Sequence, residues 1–165
     1  MPVLVPLLVY CQALGALAGA VAAVWGEMEY IRAMRNGEID KAERAHLNVI
    51  ARGLRFGMSI LLLSSLGLVL VDYILRASLQ PALSASYWIS ISLALLIIGI
   101  SWSLSRRRIS FAYGSAIVFT AWWFLAFLST GQLPGLSFGA AVALLLVTTV
   151  IFYALLQYAR MLSLR

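Results

Sequence analysis

Apolar residues dominate five stretches of the chain, each about as long as a membrane crossing. A helix rises about 1.5 Å per residue and a bilayer core is about 30 Å thick, so one crossing needs roughly 20 mostly apolar residues. A lone segment in hydrocarbon can pair its backbone groups only within itself, so each stretch is predicted to be helical. The predicted spans are Val3–Trp25, Phe56–Ile74, Tyr87–Leu104, Ile109–Leu128 and Phe138–Tyr158.

The composition excludes a water-soluble domain. Apolar residues make up 63% of the chain and charged residues 11%, whereas soluble domains have about 45–50% and about 25%. A single cysteine, Cys11, excludes a disulfide scaffold. The first span is predicted to be a mature helix and not a cleaved signal, because no Lys or Arg precedes it and it is too long for a signal core.

The basic residues predict the orientation, because positive charge is retained on the cytoplasmic side of a membrane. Eleven of the twelve Lys and Arg residues fall on alternate connections and the C-terminal tail, while Arg76 is alone on the opposite side. This predicts an all-α, five-helix membrane bundle, one domain over residues 1–165, with the N-terminus outside and the C-terminus in the cytoplasm. The net charge of +6 is then a consequence of topology, and no nucleic-acid partner is expected.

Residues 26–55 are predicted to form a cytoplasmic helical hairpin that projects from the membrane. The first helix continues to Arg35, where Asn36-Gly37 favours a turn. Asp40-Lys41-Ala42-Glu43 resembles a capping box, so a second helix is expected to start there and run into the second span. Antiparallel pairing about the turn would bring Glu27 within a turn of Arg52.

Glycines spaced four apart predict close contact between the first two helices. Gly15 and Gly19 form one such pair, and Gly53 and Gly57 form the other. Small residues let helix backbones approach where lipid offers no hydrophobic drive for association.

The hairpin also contains the candidate metal ligands Glu27, Glu29, Glu43 and His46. One interpretation is a solvated face that stiffens the hairpin. The other is a cytoplasmic site for a divalent cation or a partner, since three carboxylates and one histidine are suitable ligands. The sequence indicates no specific cofactor.

Gln12, Asp72 and Arg76 are the polar residues of the spans that could belong to a pathway. An ionisable residue inside a bilayer costs about 2.5–3.5 kcal/mol on insertion scales and is a functional candidate for that reason. Asp72 and Arg76 could neutralise each other at the outer boundary, or Asp72 could serve as a relay acid. Gln12 should face protein, either to bond a neighbouring helix or to line a pathway.

Enzyme signatures are missing from the sequence, so a non-enzymatic role is predicted. His46 is the only histidine, which excludes ligation of a haem by two histidines from one chain. There is no nucleophile elbow, phosphate-binding glycine loop or HExxH motif. The aromatic run Trp122-Trp123-Phe124 could pack in the bundle, face lipid, or line a pigment, quinone or haem pocket.

One segment resembles a known group of proteins. Asn36-Gly37-Glu38-Ile39-Asp40, then Glu43, Arg52, Arg55 and Gly57, and the run 61–68 are similar to a pattern in small prokaryotic membrane proteins distantly related to the copper-resistance D group. The likeness covers residues 25 to 70 and implies a bundle in a prokaryotic inner membrane.

These observations predict a multi-pass protein of the cell inner membrane. It would either transport a small solute or ion, or serve as an accessory subunit of a larger membrane assembly. The alternative is a redox or pigment-binding subunit that uses the aromatic residues of span four. Expected partners are the lipid bilayer and either further copies of the chain or other membrane subunits.

Overall fold

The structure, a computed structural model, describes residues 3–35, 44, 48–49, 51–75, 84–133 and 135–163. Within these residues the chain is helical and contains no strand. A π-helical turn, Leu54–Met58, leads directly into the second long helix. The long helices are α1 Leu4–Arg35, α2 Ser59–Ile74, α3 Ala85–Ser105, α4 Phe111–Ser129 and α5 Phe138–Ser163.

Five helices in the described part of the chain are long and apolar enough to cross a membrane. This confirms the prediction of an all-α chain with five candidate spans, and it indicates a membrane protein. Their bounds agree with the hydropathy pattern to within a few residues at most ends, because span length is set by the run of apolar side chains. These candidate spans are Leu4–Arg32, Ala51–Ile74, Ala85–Ser105, Phe111–Ser129 and Phe138–Leu162.

α1 continues well past its apolar part. It has 32 residues, so it is about 48 Å long, which agrees with the predicted extension to Arg35. The predicted turn at Asn36-Gly37 and the capping box that begins at Asp40 lie outside the described residues.

α1 and α2 cross at glycines. A Cβ atom added to Gly15 would lie 2.8 Å from the Gly57 carbonyl oxygen, and one added to Gly57 would lie 2.7 Å from the Gly15 carbonyl oxygen. One turn along, a Cβ on Gly53 would lie 2.6 Å from the Ala22 Cβ. The backbones therefore touch at this crossing, and any side chain at these positions would force them apart.

α4 lies at the centre of the bundle and α5 at its edge. In the most apolar part of each helix, 56% of α4 residues are buried, compared with 11% of α5 residues. The largest fully buried side chain is that of Trp122 on α4. Its ring occupies the space that a Cβ on Gly19 would need, so the middle of the bundle is filled by one aromatic ring packed on a glycine of α1.

Candidate functional site

Two polar regions lie at opposite ends of the bundle. The first, called the charged cluster, consists of Glu27, Tyr30, Phe111, Ser115 and Arg160. It joins the C-terminal part of α1, the first turns of α4 and the last turns of α5. Glu27 is 4% exposed and Arg160 is 5% exposed, so both charges are removed from solvent.

Arg160 connects the three helices of the charged cluster through one nitrogen. Its Nη2 donates to Glu27 Oε1 at 2.9 Å and to Glu27 Oε2 at 2.7 Å. The same nitrogen donates to the Ser115 hydroxyl oxygen at 2.7 Å. Hydrogen bonds of this length to a charged group are roughly twice as strong as neutral ones.

Aromatic rings cover the guanidinium of Arg160. Its central carbon lies 4.8 Å from the Tyr30 ring centroid and 5.6 Å from the Phe111 centroid. The two rings stack on each other with their centroids 4.5 Å apart. A desolvated cation near aromatic faces gains about 2 kcal/mol, which offsets part of the cost of removing the charge from water.

The second region, called the polar cavity, lies near the other end of the helices. It has a volume of about 180 Å³, and its walls come from α1, α2, the start of α3 and the end of α4. No charged residue is among the described residues that line it. Its polar lining includes Gln12, Ser65, Ser86, Tyr87, Ser90 and Ser129.

Two hydroxyl groups of the polar cavity have no hydrogen-bond partner among the described residues. Ser65 is 2% exposed and its Oγ is unpaired. Ser129 Oγ is also buried and unpaired. By contrast, Ser90 donates to the Ser86 carbonyl oxygen at 2.9 Å, within its own helix. Because buried polar groups in proteins are almost always paired, these two hydroxyls are available to hydrogen-bond a molecule in the cavity.

An apolar layer separates the polar cavity from the charged cluster. Trp122, Val118 and Leu125 of α4 are fully buried between them, as are Ala16 and Ala20 of α1. Because the Trp122 ring packs directly on Gly19, apolar groups fill the space between α1 and α4 at this level.

The candidate metal ligands are not brought together by the described residues. Glu27 bonds Arg160, while Glu29 pairs with Arg32 at 3.2 Å. Residues two apart on a helix do not face each other. Within the described part of the chain there is no group of three potential metal ligands, and Glu43 and His46 lie outside that part.

The in-span polar candidates have different surroundings. Gln12 lines the polar cavity, whereas Asp72 is half-buried on α2 and is not among the residues that line it. Arg76 lies outside the described residues, so the predicted pair of Asp72 with Arg76 remains a prediction. Gly15, Gly19, Gly53 and Gly57 all lie at helix contacts of α1.

The aromatic run of α4 has three different environments. Trp122 is in the centre of the bundle, and Trp123 lies among Phe119 and Phe127, with centroid distances of 6.5 and 5.9 Å. Phe124 lines an apolar cavity of about 310 Å³ between α3, α4 and α5. Phe124 therefore borders a space that an apolar ligand could enter.

Sequence reasoning did not single out Arg160, Ser115 or Ser65 as site residues. Arg160 was counted only toward membrane orientation, although it follows more than twenty apolar-rich residues of the same helix. Serines in apolar helices usually bond their own backbone, as Ser64 does with the Ile60 carbonyl oxygen at 2.7 Å. The sequence contains no signal that distinguishes Ser65 from Ser64.

Comparisons of this chain with protein families, with curated proteins and with solved structures find no match. A functional assignment therefore rests on the charged cluster, the polar cavity and the layer between them. Of these, only the polar cavity offers unpaired groups and open space to a ligand.

Proposed function

We propose that the chain is a multi-pass transport protein of a prokaryotic inner membrane that binds a small uncharged polar solute in the polar cavity. The observation that carries this proposal is the buried Ser65 hydroxyl, which has no partner among the described residues and lines a cavity with Gln12. An unsatisfied buried group costs about 1–3 kcal/mol. A solute that exchanges hydrogen bonds with Ser65 and Gln12 removes this cost.

The chemistry of the lining favours a neutral solute. Hydroxyl and amide groups can both donate and accept hydrogen bonds, and no charged group is present among the described residues that line the cavity. A charged solute would lose its hydration there without gaining an ionic partner, which is strongly unfavourable. The volume of about 180 Å³ suits a molecule of a few heavy atoms.

The distribution of basic residues supports an orientation in which the polar cavity faces outward and the charged cluster lies at the cytoplasmic boundary. In that orientation the structure corresponds to an outward-facing state. The Trp122 layer and the Glu27–Arg160 pair close the route on the cytoplasmic side. Transport then requires these contacts to open while the outer side closes.

Stopped-flow light scattering from liposomes tests this proposal, with glycerol and urea as small uncharged probes. We expect proteoliposomes to admit at least one probe several-fold faster than empty liposomes. Gln12→Leu keeps a similar size but removes the amide, so it should return the rate to that of empty liposomes. Gln157→Leu on α5 is the matched control, because Gln157 does not line the cavity. Equal rates with and without protein contradict transport of either probe.

A second candidate function is that of an accessory subunit in a larger membrane assembly. The low burial of α5, 11% compared with 56% for α4, favours it because such a helix has a wide face free for another membrane helix. Native mass spectrometry of complexes extracted from membranes separates the two functions. A stable complex with another subunit supports the accessory role, whereas the chain alone or with copies of itself supports transport.

For the redox or pigment-binding alternative, the candidate binding site is the apolar cavity beside Phe124. Its lining is almost entirely hydrocarbon. A quinone ring or a pigment could enter such a space without losing hydrogen bonds. The visible absorption spectrum of the purified protein tests for a pigment or haem. An absorption band in the visible range would favour this alternative over transport.

A further inference from the structure

A groove lies along α1 on the side that faces Asn48, Val49, Arg52 and Gly53. It has a volume of about 570 Å³ and is open along its length. This groove is called the interfacial groove, and the residues that matter for its chemistry are Val21, Ala22, Glu29, Asn48 and Arg52. It is distinct from both the charged cluster and the polar cavity, because it shares no lining residue with either.

The lower half of the interfacial groove is apolar and shallow. Ala18, Val21 and Ala22 form its wall on α1, and Gly53 lies opposite. A Cβ on Gly53 would lie 2.6 Å from the Ala22 Cβ, so the two helices nearly touch at its floor. Val21 is 61% exposed, which leaves this half accessible from the side, as an acyl chain in a bilayer would approach it.

The upper end of the interfacial groove combines opposite charges. Arg52 is exposed and forms no ion pair with any described residue, while Glu29 pairs with Arg32 through its Oε1 atom alone. The Asn48 side chain lines the same end. A cation, a carboxylate and an amide therefore line the same groove as the apolar residues.

The groove also spans the correct range of depth for a lipid. Ala18 and Glu29 are eleven residues apart on α1, so the groove extends about 16 Å along the helix axis. Trp25, which is 56% exposed, lies between the apolar and the charged halves. Tryptophan is enriched at the boundary between hydrocarbon and headgroups. The apolar half is thus placed at acyl-chain depth and the charged end at headgroup depth.

We propose that the interfacial groove binds a phospholipid whose headgroup carries a primary ammonium group. Arg52 donates to the phosphate oxygens, since a guanidinium matches phosphate geometry in two parallel hydrogen bonds. Glu29 accepts from the ammonium group, which has three N–H donors. A quaternary choline headgroup has none, so Glu29 distinguishes the two lipids. This site is independent of the proposed solute transport.

Native mass spectrometry of the full-length, delipidated chain tests the proposal. The probes are three phospholipids with identical dioleoyl chains and ethanolamine, choline or glycerol headgroups. We expect the ethanolamine lipid to give bound complexes several-fold more abundant than either of the others. Equal abundance of all three, or a preference for the glycerol or choline lipid, would overturn the proposal.

Substitutions assign the preference to the groove. Arg52→Gln should reduce binding of all three lipids to background, and Glu29→Gln should lower the ethanolamine lipid to the level of the choline lipid. Arg55→Gln is the matched control, because Arg55 is also exposed but is not among the residues that line the groove. An unchanged preference in Glu29→Gln contradicts the proposal. Circular dichroism verifies that the variants keep their helicity. If a variant loses its helical structure, the comparison of the three lipids on the unmodified chain still tests the proposed headgroup preference.

Discussion

The two ends of the bundle differ in how their polar groups are paired. In the charged cluster, Arg160, Glu27 and Ser115 bond one another within 2.9 Å. In the polar cavity, Ser65 and Ser129 have no partner among the described residues. Groups that satisfy one another hold helices together, whereas groups left unsatisfied are available to a ligand. This contrast underlies the proposal that one end stabilises the bundle and the other end binds a ligand.

The largest loss of stability is expected when one partner of the Glu27–Arg160 pair is removed and the other is kept. Arg160→Ala leaves the Glu27 carboxylate buried without its cation, and losing one partner of a buried pair costs about 3–5 kcal/mol. Denaturant unfolding of the purified protein in detergent, followed by circular dichroism, measures this loss.

The double variant Glu27→Leu with Arg160→Met is the control for that experiment. It removes both charges and keeps side chains of similar volume, so it should recover most of the lost stability. If Arg160→Ala unfolds at the same denaturant concentration as the unmodified chain, the pair does not hold the helices together.

A smaller loss of stability is expected when Gly19, in the apolar layer between the two ends, is substituted. The added methyl group of Gly19→Ala overlaps the Trp122 ring, and overpacking a well-packed core costs about 1–3 kcal/mol. Gly99→Ala on α3 is the matched control, because a Cβ there meets no atom within 4 Å. It should leave stability unchanged or raise it by up to about 1 kcal/mol through helix propensity. Equal unfolding midpoints for the two variants would show that Trp122 does not pack on Gly19.

Substitution of Ser65 in the polar cavity is expected to change solute binding but to have little effect on stability. Ser65→Ala removes an unpaired hydroxyl and should therefore leave the free energy of unfolding unchanged within about 1 kcal/mol, while slowing glycerol or urea entry several-fold. Its neighbour Ser64 donates to carbonyl oxygens of its own helix at 2.7 and 3.0 Å. Ser64→Ala should therefore not alter solute entry. Equal entry rates for both variants would contradict a binding role for Ser65.

The smallest effect is expected at Asp72. This residue is half-buried on α2 and does not line the polar cavity, so Asp72→Asn should leave solute entry unchanged at neutral pH. The same liposome assay measures the rate. A marked loss of solute entry would support the alternative in which Asp72 is a relay acid of the pathway. It would also weaken the contrast between the two ends of the bundle.

Several features of the fold could be predicted because they depend on local sequence. The glycine spacing of α1 predicted close helix contact, and a Cβ atom added to Gly15 would indeed lie only 2.8 Å from the Gly57 carbonyl oxygen. The same spacing did not indicate that Gly19 meets an aromatic ring of α4. Glycine spacing shows where a neighbouring group can approach a helix, but it does not identify that group. The hairpin pattern did not indicate that Glu27 bonds Arg160 of α5, because the pairing it predicts involves only the first two helices.

By itself, the sequence determined the number of candidate spans, their helical state and their approximate bounds, because hydrocarbon requires long apolar runs whose backbone is paired internally. Only the tertiary structure decided which polar residues meet. Glu27 and Arg160 are 133 residues apart, and Gln12 reaches the same cavity as Ser65 and Ser129 only when α1, α2 and α4 pack together. Hydrophobicity acts on each segment separately, whereas hydrogen bonds and ion pairs between helices depend on how the helices are arranged.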